Sequence, residues 1–467
     1  MKRLLFALSA TLLSTLSSAK GLSPYLPLNL APEVELQIEK LIALSGQTPL
    51  AKPYKASELL IRLPQIKDKY PLLFNRLNAY LKRYTETSAI THRGIRVSDS
   101  DHNPRSLENN RGVSHNTRFE LSAAGHVYFS PYFYVAGGGM YSDDSGRSLL
   151  NTHIGFGNEY AQVDIGYRDH WLSPFQDSAM LLSTQAENEP SITISNATPV
   201  SSLQVRYEVF LSKLHDTTIK ADGFETTQDK PYLSGWHFSL SPFDRMSIGY
   251  SHTYLFGGGQ REDSIATLLK SLVATNQLQD ANVDNLEQGY QQSAISAKWN
   301  VDWYAPISIY AEFARSGSRD EEHQTINQNA RSIGLYLPVL FERMSFRYEY
   351  TDRDSGWYQS AFYPQGLRNK QHIVGHWSAD EFPIGEAPGA KTHHLLLDWE
   401  LVDDQLLALR VSGQETDDLP TQSLQDTYQV QARYSFANRY GFWGVEGTYG
   451  KDALGDYYHR VSGFFRW

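Results

Sequence analysis

The stretch "YYHRVSGFFRW", residues 457–467, decides the fold, and it sorts by parity. Tyr457, Val461, Gly463, Phe465 and Trp467 fall on one side, Arg460, Ser462 and Arg466 on the other. A period of two with one apolar face is a half-buried strand. Nothing follows Trp467, so the strand itself is the expected C-terminal anchor.

The same period runs through the chain from about Ala89. Tyr428, Val430, Ala432, Tyr434 and Phe436 alternate with Thr427, Gln429, Gln431, Arg433 and Ser435. Met246, Ile248 and Tyr250 alternate with Ser247, Gly249 and Ser251; Ile307, Ile309, Ala311 and Phe313 alternate with Ser308, Tyr310 and Glu312. A soluble sandwich alternates too, so the connections decide. Tight turns sit at "YFSPY", "FGNEY", "TPVSS", "LSPFD", "DWYAP", "PVLFE", "LVDDQ" and "FANRY". Between them lie longer links, around 99–114, 169–190, 215–229, 257–289, 317–328, 355–390 and 417–423, with shorter ones at 143–147 and 451–455. Roughly nine loops against eight turns predict about 18 antiparallel strands, closed into an outer-membrane β-barrel with its long loops outside the cell. Closure leaves no strand edge in lipid.

Composition agrees. Aromatics make up 13%, with 29 Tyr, 21 Phe and 9 Trp, while mean hydropathy is −0.45, too polar for a bundle of membrane helices. With no cysteine in the chain, disulfides and thiolate metal sites are excluded. The net charge of −10 offers no basic stripe to nucleic acid. Met1-Lys2-Arg3, the apolar run Leu4 to Leu16 and Ser17-Ser18-Ala19 form a secretory signal, cut after Ala19. The expected division is a signal at 1–19, a periplasmic helical bundle at 20–87 plugging one mouth, and the barrel over 88–467. Within the bundle, Asn29 or Ala31 opens a helix with Pro32 in its first turn, Ser57 caps a second that Pro64 ends, and a third runs from about Pro71 to Tyr84.

Candidate chemistry is sparse. Asp169 and His170 are adjacent, so on a strand they point to opposite sides and share no proton unless a turn intervenes. His393-His394 has the same problem, with His393, Leu395, Leu397 and Trp399 reading as a lipid-facing row. No H-E-x-x-H occurs and no carboxylates show calcium-loop spacing, so no metal, cofactor or catalytic residue is expected. The glycine runs "LFGGGQ" (255–260) and "AGGGMY" (136–141) read as strand thinning or close approach. Residues 263–275, "DSIATLLKSLVAT", place Ile265, Leu268, Leu269, Leu272 and Val273 at helical spacing, a helix folded over the opening. Loop 355–390 carries Trp357, Tyr358, Phe362, Tyr363, Arg368, Lys370, His372, His376 and Trp377. Aromatic faces stack on sugars, and Arg or Lys clamps acidic groups. A surface rich in both fits a glycan binder, and the residues expected on it are Arg168, Asp169, Trp171, Trp357, Arg368 and Trp377, with packing of the rings onto the barrel mouth as the competing reading.

Four stretches carry a family resemblance: "GLSPYLPLNLAPEVELQIEKLIALSGQ" (21–47), "GYRDHWLSPFQDSAMLLSTQAENEPSI" (166–192), "LFGGGQREDS" (255–264) and "HIVGHWSAD" (372–380). Together they resemble the Wzi family of capsule assembly proteins, although Leu172 and Phe175 stand where the family pattern is richer in Trp and Gly. The resemblance implies an outer-membrane lectin, without enzymatic activity, that holds capsular polysaccharide or exopolysaccharide at the cell surface. Implied partners are that polymer, outer-membrane lipid and the polysaccharide export machinery, with a monomer as the expected state. The alternative is a porin-like channel for sugars or oligosaccharides gated by the helical segment. A third reading, an outer-membrane hydrolase, requires Asp169 or His170 to meet a second acid or base.

Overall fold

The computed structural model describes residues 21–101, 105–215, 217–221, 224–228, 230–258, 289–319, 325–359, 363, 366–382, 386–419 and 423–467. The expected signal and the expected helix at 263–275 lie outside them.

The terminal stretch forms the strand Tyr457–Arg466, whose odd positions face outward and even positions inward along its length. It pairs with the first strand, Ser88–Ser100, through Gly94↔Arg466 to Ser100↔Arg460, and so closes the sheet. Trp467 extends the ladder by one step: its N–H donates to Arg93 O at 2.8 Å and its carbonyl accepts from Arg93 N–H at 3.0 Å. Its ring lies 3.8 Å from the Arg83 guanidinium and 4.8 Å from that of Arg93. The chain's last residue thus ties the closing strand to the helical segment and to the first strand.

Nineteen hydrogen-bonded segments make the main sheet, but Gly146–Leu149 and Thr152–Gly157 both pair with Phe133–Ser142 and are two halves of one interrupted strand. The barrel therefore has 18 antiparallel strands. The glycine run at 136–141 serves that interruption. A Cβ at Gly138 would stand 2.7 Å from the Leu150 carbonyl, and the Gly138 N–H donates to Thr152 Oγ1 at 2.8 Å.

The predicted faces hold. Ile295, Ile309, Phe313, Ile333, Val445 and Val461 are exposed on the outside, whereas Glu312, Arg433, Ser435, Arg460 and Ser462 are buried in the lumen. Near the tight turns the outer wall is aromatic: Phe243, Trp303, Tyr304 and Phe341 are 69%, 77%, 93% and 81% exposed. Tyr428, Tyr449 and Tyr457 stand outward at the opposite end. These rings mark two membrane interfaces.

Three helices precede the barrel: α1, Pro32–Leu44; α2, Ala56–Arg62; and α3, Pro71–Leu81. Pro32 at the first helical position and Glu33 and Glu35 in the first turn start α1, and Gly46 follows its end at φ +73°. Ser57 does not cap α2. Lys55 is the N-cap residue, and the Ser57 N–H is satisfied by Ser23 Oγ at 2.9 Å, a cap delivered from 34 residues upstream. Val34, Ile38, Leu41, Leu59, Leu63, Leu77 and Leu81 form the bundle's core. Its unfinished sides meet the lumen wall, with Leu36 against Leu396 and Ala408, and Ala43 beside Tyr310 and Tyr336. Arg76 pairs with Glu400 and Asp404, and Arg206 with Glu58, so the helices sit at the end of the barrel that carries the tight turns.

Candidate functional site

Residues 21–30 and 47–56 carry the N-terminal segment up into the lumen. Tyr25 donates to Asp164 Oδ2 at 3.0 Å and sits 2.7 Å from Ser195 Oγ, both on the wall. Lys55 Nζ reaches Gln162 Oε1 and Ser195 Oγ at 3.2 Å each.

From the opposite end, three loops fold inward to meet this segment. Lys52 and Trp171 exchange both backbone hydrogen bonds, at 2.9 and 3.1 Å, and Lys52 Nζ lies 4.5 Å from the indole centroid. Arg111 donates to Asp169 Oδ2 at 2.7 Å and to Leu28 O at 2.8 Å, joining a second loop to both. The loop from 354 to 389 locks onto the loop from 168 to 189. Tyr358 Oη donates to Met180 O, the Ser183 N–H to Val374 O, and Gln185 Nε2 to Asp380 Oδ2. Leu172, Met180, Leu181, Trp357, Tyr358, Tyr363, Leu367 and Ile373 form the shared apolar core of this crown.

The crown's outer rim is polar. Asn369 Nδ2 donates to Glu187 O and Glu189 Oε1 at 2.8 Å each, and its Oδ1 accepts from the His215 N–H at 3.0 Å. His215 Nε2 lies 3.2 Å from Glu189, and Lys370 pairs with Glu187. Burial pushes the Glu189 carboxyl up to about 7, against its hydrogen bond from Asn369. At Asp380 burial acts in the same direction but loses: the His372 hydrogen bond and the His372 and Arg368 charges hold the carboxyl down at about 2. Gly112, at φ +71°, lets the first loop run against His372, whose ring would lie 2.4 Å from a Cβ there. Lys370 and His215 are the most exposed side chains of this frame, with His372 and Glu187 partly exposed beside them.

A family model described as capsule assembly protein Wzi matches residues 91–454. The chain belongs to the Wzi family. It is similar in structure to Wzi of Escherichia coli, an outer membrane protein involved in group 1 capsule assembly and a carbohydrate-binding β-barrel, with a TM-score of 0.64 at 11% identity, covering 95% of this chain and 99% of that one. Pseudomonas aeruginosa OpdL aligns with a TM-score of 0.49 at 10% identity, covering 81% and 98%. No curated protein sequence matches the chain. A closed barrel with an apolar outer wall between two aromatic girdles is an outer-membrane protein.

In this Wzi-family chain the six residues expected at a binding surface are all inside. Trp357, Trp171, Arg168, Trp377, Asp169 and Arg368 are exposed by 0%, 1%, 2%, 3%, 5% and 5%. Arg168 pairs with Glu208 at 2.5 Å and covers the Tyr25 ring at 4.1 Å; the Trp171 indole N–H donates to Phe175 O at 2.8 Å; Arg368 holds Asp380 at 3.2 Å. Trp357 lies in the crown's apolar core and Trp171 packs with Leu28 and Ala179, while the Trp377 ring is buried beside His376. Lys370 and His372 were in view as loop residues. Glu187, Glu189 and His215 carry no local signal, since two separate segments bring them together on Asn369, which lies on a third.

His170 does meet an acid and a hydroxyl. Its Nδ1 lies 2.7 Å from Glu208 Oε1 and its Nε2 3.1 Å from Ser191 Oγ. That connectivity resembles a charge relay, but the cavity reaching Arg168 and Glu208 is lined by neither His170 nor Ser191. The His-to-Ser contact also recurs between strands, at His92–Ser122 and His237–Ser251 in the lumen and at His252–Ser293 on outward-facing positions. Among the described residues no cluster could hold a metal ion.

Proposed function

We propose that this chain is a lectin that binds capsular polysaccharide or exopolysaccharide and holds it at the cell surface, without processing it. The observation that supports this most is the meeting of loops and N-terminal segment inside the lumen, through Lys52–Trp171 and Arg111–Asp169. In this reading the two sides meet inside the barrel and the polymer is held on its outer face. In this reading residues 20–87 form the periplasmic plug and 88–467 the barrel. The rim of Lys370, His215 and Glu187 contacts the polymer. Arg168, Asp169, Trp171, Trp357, Arg368 and Trp377 act by fixing the shape of the loops beneath it. The export machinery delivers the polymer, and the monomer suffices to hold it.

The test deletes the gene and separates cell-bound from released polymer, complementing with wild type and with Lys370→Ala/His215→Ala. The expected outcome is unchanged total polymer shifted into the medium. Wild type restores attachment, and the double variant binds about ten-fold more weakly, the worth of one charge-assisted hydrogen bond. Polymer that stays on the deleted cells while uptake of a sugar falls would overturn the reading in favour of a channel.

A further inference from the structure

The outer wall changes character abruptly on the strands Tyr290–Asp302, Pro306–Arg319, Thr325–Leu340, Met344–Arg353 and Ala390–Val402. Outward positions run apolar from the tight turns through Ile307, Ile309 and Phe313, with Ile295 and Ile333 beside them, and then become Arg315, Arg331 and Lys391. Arg315 stands eight residues beyond Ile307 on its strand. Eight steps are about 27 Å along a strand. At a tilt of about 40° they climb about 21 Å, which places Arg315 at the far edge of an apolar band about 25 Å tall.

The register brings the cations together. Arg331 lies opposite Phe313 on one neighbour and Asp352 on the other, and Arg315 lies opposite Ser293 and Asn329. Arg315 and Arg331 are therefore diagonal neighbours on one face, about 7–8 Å apart by usual sheet spacing. Lys391 follows beyond Asp352 and is itself flanked by Glu415. All three cations are exposed, and among the described residues none of them has a hydrogen bond or an ion pair within 4 Å, although the Lys391 charge acts on Tyr350 beside it. The Asp354 carboxylate, the next acid above, is taken by Asn329 at 2.8 Å.

We propose that Arg315 and Arg331, with Lys391 beside them, bind the phosphate of a phosphorylated glycolipid in the outer leaflet, whose acyl chains lie along Ile295, Phe313 and Ile333. Guanidinium pairs match phosphate oxygens in geometry and charge. A cation at the edge of the hydrocarbon meets lipid phosphate at a fixed height, whereas a soluble polymer meets the loops first. The site stands on the outer wall, so it is independent of the crown and of the polysaccharide reading.

The test uses the full-length barrel extracted in mild detergent, with folding checked by heat-modifiability. Affinity for diphosphorylated lipid A is read by native mass spectrometry and by the shift in Tm, for wild type, Arg315→Gln/Arg331→Gln and Lys213→Gln. Lys213, another exposed outward cation, donates to the Tyr232 hydroxyl at 3.3 Å and serves as control. At about 1 kcal/mol per surface cation, the double variant should bind about 30-fold more weakly, while Lys213→Gln stays close to wild type. Equal affinity for wild type and double variant, or equal binding of lipid A stripped of phosphate, would overturn the proposal. So would a soluble polyuronate that binds as tightly as the lipid and is lost in the same variant, because the cations would then serve polysaccharide.

Discussion

Trp357 shows what a loop aromatic does in this barrel. Its indole is wholly buried, edge-on to Tyr358 with ring centroids 6.0 Å apart. Trp357→Ala should therefore cost about 3–5 kcal/mol of stability, as a core truncation does. A urea or thermal unfolding curve checks it, and polymer retention should fall only as far as the fold does. Loss of retention at full stability would make the ring a contact. Glu35, in α1, gives a second test at this scale. Burial raises its carboxyl to about 7 from an ordinary 4.5, against the Lys52 charge and a hydrogen bond from the Asn29 N–H. The folded state then keeps a proton that the unfolded state releases. Stability contributed by this group is highest below about pH 4.5, falls as pH rises to about 7, and is flat above, a span of about 3 kcal/mol. Hydrogen-exchange protection of α1, corrected for intrinsic exchange, should show that slope, and Glu35→Gln should flatten it. No local pattern could have sorted the six candidates, because ring and guanidinium mean the same in sequence whether they face solvent or Met180 and Glu208. What decides is contact between separate segments, such as Arg168 with Glu208 and Tyr358 with Met180.

Strands were legible and caps were not, for one physical reason. A strand declares itself by its own alternation, and lipid on one side with a polar lumen on the other keeps that alternation clean in strands such as Met344–Arg353 and Tyr457–Arg466. The α2 cap comes from Ser23, a partner outside the window that any capping pattern covers. The contact of α1 with the wall is similar. Glu33, at the first turn and fully buried, accepts from Arg466 Nη1 at 2.7 Å and lies 3.4 Å from Arg433 Nε. Burial would raise this carboxyl, yet the two guanidinium charges win and hold it below the usual range. Removing one partner of such a group leaves the other charges buried and uncompensated, at about 3–5 kcal/mol. Arg433 keeps Glu446 at 3.6 Å, so Arg466 in the closing strand bears most of the loss. Glu33→Ala should lower the temperature at which the barrel unfolds on a heat-modifiability gel, and Glu33→Asp should lower it less. An unchanged transition would mean that α1 and the closing strand are not coupled.

At the scale of the molecule, the alternation of tight turns with long links predicted the closed barrel and its orientation, because turn length is written directly in the chain. The helices before the barrel were legible, but the loops that meet the N-terminal segment through Lys52–Trp171 and Arg111–Asp169 were not, and the two readings of function divide on that segment: a lectin needs it fixed, a gated channel needs it to move. Thr48 Oγ1 on that segment lies 2.6 Å from Ser247 Oγ on the wall. The chain has no cysteine of its own, so Thr48→Cys/Ser247→Cys introduces a pair with no competing thiol. Hydroxyls that close sit within reach of disulfide geometry, and the periplasm oxidises such pairs. The bridge should form nearly completely, as read by a mobility shift on reduction, and cells carrying it should retain polymer as wild type does. Should the locked barrel instead lose polymer, or lose a sugar uptake that a reductant restores, the segment must move for function, and a barrel closed from both ends would be its resting state.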